Sequence, residues 1–228
     1  RWTASPKTCF PSHISTREYN IKDTDPKFCY KESSVYKIII VFVFGLFITS
    51  CVTVAPVVNP HSEISIYGVK SLPPQNGDWI VMAASGYQMS LVSHATNKNE
   101  SLVANVSIHQ LPELSSDQEF LEYVVKFRSS EPNIGRFEIQ KNTADISSLK
   151  GAVCIKYHSI SKDKNAKIQG GDTAVMLLEN IGYNCIHPEK STVGVNMEYS
   201  FRHFAETNDP SFEKNGNDFF KNITFTEF

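Results

Sequence analysis

The chain has 228 residues, 41% of them hydrophobic and 11% aromatic, and a formal net charge of -2 at pH 7. That aromatic content belongs to a packed domain rather than a disordered one, and near-neutrality with no Lys/Arg cluster on any one expected face removes the electrostatic case for nucleic-acid binding. No period of about 20 to 50 residues recurs, which excludes a solenoid.

In chain order, residues 1–36 are polar, carry Pro6, Pro11 and Pro26 with lone Cys9 and Cys29, and show no amphipathic period. Lys37 then opens an apolar run whose core extends from Ile38 to Ile48 and closes on Thr49, Ser50 and Cys51. A basic residue, a short apolar core and small residues at its end form the layout of an export signal.

Through Ile48-Thr49-Ser50-Cys51 this run resembles the signal peptide and lipobox of bacterial lipoproteins. The resemblance implies that residues 37–50 are removed and that Cys51 receives lipid, with palmitate as a typical acyl chain. Cys51 then becomes the first mature residue and the membrane anchor, so the protein belongs to the cell envelope. In that family Asp after the cysteine marks retention in the inner membrane. Val52 stands there instead, which implies the outer membrane, facing the periplasm. Because such a signal opens close to its basic residue, translation is expected to start nearer Val35, leaving residues 1–36 untranslated or disordered.

Two other readings stay open. Residues 38–58 hold no charge and reach the roughly 20 residues of a single-pass anchor, although Pro56 would break a helix. The sequons at Asn99, Asn105 and Asn222 would suit the glycosylated ectodomain of such a protein. A cleaved secretory signal is the other reading.

Residues 51–77 read as the lipidated N-terminus and a tether, with Pro73-Pro74 and Asn76-Gly77 as turns. Residues 78–228 form the expected globular domain, large enough for one core. A strand is expected at 87–94, and Leu102, Ala104, Val106 and Ile108 alternate as a second. Ser115 with Gln118 then reads as a capping box, opening a helix whose apolar side carries Phe120, Val124 and Phe127 and which Pro132 ends. Further strands are expected at 136–142, 151–160, 173–181 and 193–204, with residues 162–172 as an exposed, mobile loop. A short helix at 211–221 and a strand at 223–228 close the chain.

Runs of strands with two helices and no βαβ alternation define an antiparallel α+β domain. Its strand order, the element Gly182-Tyr183-Asn184-Cys185-Ile186-His187-Pro188, the run Tyr199-Ser200-Phe201-Arg202 and the terminal Phe219-Phe220-Lys221-Asn222-Ile223-Thr224-Phe225 resemble the PsbP-like proteins. The resemblance implies a PsbP-like sheet with one main and one short C-terminal helix, and a role in binding or assisting other complexes. It does not bring photosynthesis with it.

Past Cys51 only Cys154 and Cys185 remain, and in an exported domain such a pair reads as one disulfide. The rival is a zinc site built from Cys154, His158, Cys185 and His187, and a Cys nucleophile with a His base would draw on the same residues. No G-x-S-x-G, H-E-x-x-H, P-loop or dinucleotide fingerprint occurs, so no cofactor is expected. Asp117, Glu119 and Glu122 suit the N-terminal dipole of their helix. Glu198 and Arg202, on the polar side of one strand, read as solvated. The resulting expectation is a lipid-anchored, non-enzymatic envelope domain that binds a protein partner through the sheet faces and the 162–172 loop. The alternatives are a periplasmic hydrolase or metal enzyme using His158 and His187, or the ectodomain of a single-pass membrane protein.

Overall fold

The computed structural model describes residues 57–95, 97–129 and 135–228. Residues 1–36, the apolar run, Cys51 and Pro132 lie outside these described residues, as does most of the uncharged stretch at 38–58. Among the described residues no helix is long and apolar enough to cross a membrane.

The chain folds as β1 (Ile64–Ile66), β2 (Val69–Ser71), β3 (Ile80–Ala84), β4 (Gln88–His94), β5 (Ser101–Gln110), α1 (Asp117–Ser129), β6 (Phe137–Leu149), β7 (Ala152–Lys167), β8 (Thr173–His187), β9 (Lys190–His203), α2 (Phe212–Lys221) and β10 (Ile223–Phe225). The fold class is α+β, as the order of elements implied. Seven strands form one sheet in the order β3-β4-β5-β9-β8-β7-β6, and a three-stranded sheet is ordered β1-β2-β10. Each neighbouring pair is antiparallel. The chain leaves β5 in mid-sheet, passes through α1, starts again at the far edge with β6 and meanders back until β9 meets β5.

Period-two alternation in the strands assigns the two faces. Leu102, Ala104, Val106 and Ile108 pair with Phe201, Tyr199, Met197 and Val195, and this apolar face is buried beneath α2 and the small sheet through Phe212, Phe219, Phe220, Val69 and Ile223. Trp79 joins it, 2% exposed, with its indole N–H donated to the Asn76 carbonyl at 2.7 Å. On the opposite face Phe120 and Val124 of α1 pack with Leu111 and Ile155 into a second, smaller core.

The helix starts one residue later than the Ser115 capping box implied. Ser116 Oγ accepts the Glu119 backbone N–H at 3.2 Å, and the Glu119 carboxylate accepts the Ser115 N–H at 2.7 Å. The device is a variant of the capping box, with Glu119 in the place assigned to Gln118 and its carboxylate on the N–H one residue before the cap. Phe120 and Val124 are buried, whereas Phe127 is 51% exposed, because α1 covers the sheet with one narrow stripe.

Two expectations are corrected. The tether at 51–77 contains β1 and β2, and Val69 is 1% exposed. Sparse hydrophobics conceal these strands, each only three residues long. The 162–172 loop is mostly strand: β7 runs on to Lys167 and β8 begins at Thr173. Two of its charges, Asp163 and Lys164, find partners at the neighbouring strand. Asp163, only 1% exposed, accepts a two-pronged contact from Arg136 at 2.8 and 2.7 Å and the Asn165 N–H at 3.1 Å, while Lys164 meets Glu138 at 3.0 Å. A strand whose charges find partners looks like a loop when charge alone is counted.

The hydrogen bonds from Arg136, joined by that of the Asn165 N–H and by the Arg136 charge, hold the Asp163 carboxyl below the ordinary aspartate value against the effect of burial. A lowered folded-state value stabilises the fold above the unfolded value of about 4 and is lost as pH falls through the folded one. Asp163→Asn should therefore destabilise the domain by roughly 2–3 kcal/mol at pH 7. The gap to wild type should close as urea unfolding is repeated below about pH 4.

Candidate functional site

One end of the sheet gathers aromatic side chains that the chain brings from three separate places. Tyr67 sits in the turn between β1 and β2, its N–H donated to the Gly86 carbonyl at 2.8 Å. Tyr87 precedes β4, with its N–H on Ser85 Oγ at 3.2 Å. The two rings meet edge to face, with centroids 5.0 Å apart. Phe228 arrives from beyond β10 and lies against Gly68, which has φ +70° and would set a Cβ only 2.5 Å from the Phe228 ring. Any larger residue would be strained there and would displace the ring.

Tyr67, Tyr87 and Phe228 are 56%, 64% and 54% exposed. With Ile108, His109, Gln110, Lys190, Thr192 and Val193 they line a cleft of about 530 Å³. The Lys190 ammonium stands 4.8 Å from the Phe228 centroid, within reach of the ring's negative face. The His109 ring stacks on Phe127 at 5.7 Å, and burial pushes its pKa below the ordinary histidine value. This lining can take up an apolar or aromatic side chain and offer hydroxyl and ammonium hydrogen bonds at the rim. Tyr and Phe gathered in an exposed concave patch are the composition of a recognition surface.

The α1 face carries a second constellation. The Arg128 guanidinium lies 3.4 Å from the Tyr157 ring centroid and donates to Glu198 at 3.3 Å and Ser159 Oγ at 3.2 Å. Tyr157 Oη lies 3.1 Å from both Glu198 Oε2 and Asn196 Oδ1. The ring passes over Gly182 of the adjacent strand, where a Cβ would come within 2.5 Å of the hydroxyl. That close approach accounts for the glycine in the Gly182-Tyr183 element. Burial first, then the Glu198 charge, drives the Tyr157 hydroxyl well above the ordinary tyrosine value, against the pull of Arg128. Arg128 also walls a pocket of about 240 Å³ shared with Asn142, Ser159 and Asn180.

The residues singled out from sequence fall in different places. Cys154 and Cys185 are direct register partners on β7 and β8 and form a disulfide, so neither thiol is free for zinc or for nucleophilic attack. Its loop of 31 positions corresponds to about 3.7 kcal/mol of chain entropy. His158 shares a face with Cys154, and its ring nitrogens meet Glu179 at 2.7 Å and Lys141 at 3.1 Å. His187, 1% exposed, donates from Nε2 to the Gly68 carbonyl at 2.9 Å and accepts the Glu189 N–H at 3.2 Å.

The two histidines do not meet. His158 pairs with Ile181, six positions along β8 from His187, or roughly 20 Å of strand. Among the described residues no group of three or more His, Cys, Asp or Glu is placed to hold a metal ion. Glu198 and Arg202, expected to be solvated, are instead half-covered: Glu198 pairs with Arg128, and Arg202 Nε is buried without a hydrogen-bond partner. The aromatic cleft escaped sequence reading because its residues are far apart in the chain. The adjacent pairs Tyr67-Gly68 and Gly86-Tyr87 are the local signal that could have marked it, since a glycine beside an exposed tyrosine leaves room for another ring.

The chain matches no family model and no curated protein sequence. Solved structures of similar shape include a point mutant of the protein Mog1, at 12% identity, TM-score 0.40, and coverage of 73% of this chain and 96% of that one. The Saccharomyces cerevisiae Ran-binding protein Mog1p is similar at 10% identity and TM-score 0.40, covering 76% and 97%. The cyanobacterial PsbP of Synechocystis is similar at 14% identity and TM-score 0.35, covering 80% and 99%. Likeness at this level concerns the arrangement of strands and helices.

Tyr157→Phe should cost about 1 kcal/mol at pH 7 by removing the hydroxyl from Asn196 and Glu198. A raised folded-state value is stabilising below the unfolded tyrosine value of about 10 and is lost as pH climbs above it. Urea midpoints taken from pH 7 upward should therefore fall less steeply beyond that value in the variant than in wild type.

Proposed function

We propose that the chain is a non-enzymatic binding domain, held at the outer membrane by lipid on Cys51 and facing the periplasm, which docks a protein partner in the cleft of Tyr67, Tyr87 and Phe228. The observation that carries this reading is the cleft itself. Three large aromatic side chains are more than half exposed around one concavity of about 530 Å³, a costly arrangement for a surface that meets only water. A rigid aromatic anchor site suits the way binding energy concentrates in a few residues of protein interfaces. The Cys154–Cys185 disulfide accords with an oxidising compartment. The hydrolase alternative lacks its required convergence of His158 and His187.

A photo-crosslinking residue placed at Tyr87 in the native cell should give one discrete adduct. The same probe at Val175, which is 51% exposed, should not, and Tyr67→Ala should weaken the Tyr87 adduct. Equal labelling at both positions, or none at either, would end the docking reading.

The anchor has a separate test. The intact mass of protein extracted from membranes should match a chain beginning at Cys51 that carries a diacylglyceryl group and one fatty acyl chain. A lipid-free mass that retains residues before Cys51 would replace the lipoprotein with a membrane-spanning anchor.

A further inference from the structure

The two edges of the seven-stranded sheet are unlike. β3 is five residues long, contains a register shift between Val81 and Ala83, and is met by Val57 opposite Ile80 and by the Val58 N–H on the Trp79 carbonyl at 2.9 Å. β6 is 13 residues long and, among the described residues, pairs on one side only, with β7. Among the described residues no backbone hydrogen bond from another segment reaches its outer side along residues 137–149. An edge of that length presents a row of unused N–H and C=O groups, which proteins ordinarily blunt with charge, proline or a bulge. Here the register shift lies between Ile139 and Lys141, and pairing with β7 is regular from Lys141 to Leu149. In that regular stretch the charges are Lys141 and Asp145, with no proline.

We propose that this edge pairs antiparallel with the same edge of a second copy, about a two-fold axis at Thr143, so that the two sheets run on as one. Self-pairing about Thr143 sets Lys141 opposite Asp145 of the second copy, and Asp145 opposite its Lys141. Opposite charges facing each other across a pair of strands are favourable, and like charges are not. Sliding the second copy by two residues in either direction sets Lys141 opposite Thr143 or Ser147 and leaves the charges unmatched. Sliding by one residue turns matching side chains to opposite faces.

The charge order also continues the pattern inside one copy. Asp145 is already the register partner of Lys156 on β7, so basic, acidic and basic side chains would alternate across the junction. Ile146 and Ile139, 47% and 58% exposed, sit on the α1 face near the seam and would be covered by the added strand. An isologous contact of this type closes on itself and stops at two copies.

The test uses the full chain in detergent, with sedimentation measured over a concentration series. Wild type should pass from monomer to dimer. Lys141→Asp and Asp145→Lys should each weaken association by about tenfold or more, because each sets like charges opposite one another, and the double variant K141D/D145K should restore it. Both positions are exposed, and a far-UV spectrum with a urea midpoint checks each fold. An independent reading needs no variant: amide exchange in residues 142–148 of wild type should slow as concentration rises. A wild-type monomer at every concentration would overturn the proposal. So would single variants that associate like wild type, a double variant that stays weak, or exchange that is indifferent to concentration.

Discussion

Two strand meanders become one sheet where β5 meets β9, over ten residue pairs from Ser101 opposite Arg202 to Gln110 opposite Val193. The partners lie between 83 and 101 positions apart in the chain, so the pairing carries a loop-closure cost that local hairpins do not. Hydrophobic burial on one side rewards it. Ala104 against Tyr199 and Val106 against Met197 are register pairs, and each of these side chains is 1% exposed or less. Without this seam, α2 and the small sheet would have no continuous surface to cover. In a chain whose core depends on so distant a pairing, folding is expected to be slow for its size.

The same pairs place polar residues on the other side of the sheet: Asn105 opposite Glu198 and Ser107 opposite Asn196. A half-covered polar face is stable only if its groups find partners. Arg128, at the end of α1, supplies several at once by stacking on Tyr157 and reaching Glu198 and Ser159. The ion pair is partly screened by solvent, since Arg128 and Glu198 keep 16% and 26% of their side-chain exposure. Its larger contribution is to orient α1 across the sheet. The aromatic cleft lies at the end of this same framework, with His109 stacked on Phe127 of α1 and Phe228 packed against His187 at 4.7 Å. Tyr67 and Tyr87 lie in turns and Phe228 beyond β10, and the strands that these segments flank bring the three rings to one end of the sheet.

Much of the fold was legible where burial and secondary structure share a period. The alternation of Val195, Met197, Tyr199 and Phe201 marked β9 and its buried side, and the spacing of Phe120 and Val124 marked α1. Cys154 and Cys185 were legible as a pair because the domain holds no other cysteine. What escaped was set by partners distant in the chain. In the run from Lys162 to Lys167, which pairs as strand, Asp163 meets Arg136 just before β6 and Lys164 meets Glu138 on β6. β1 and β2 are too short to show a period and exist because β10 completes their sheet. Glu198 has the composition of a solvated residue until α1 brings Arg128 over it.

By itself the sequence determined the α+β class, the two helices, the buried faces of the long strands and the cysteine pair. Each of these is written in spacing or composition within a short window. Only the tertiary structure decided which strands lie at the edges, that His158 and His187 stay apart, and that Tyr67, Tyr87 and Phe228 converge. The physical reason is that a residue's neighbours across a sheet are set by register between distant segments. No local period encodes that register, and every surface with a candidate role here is made from it.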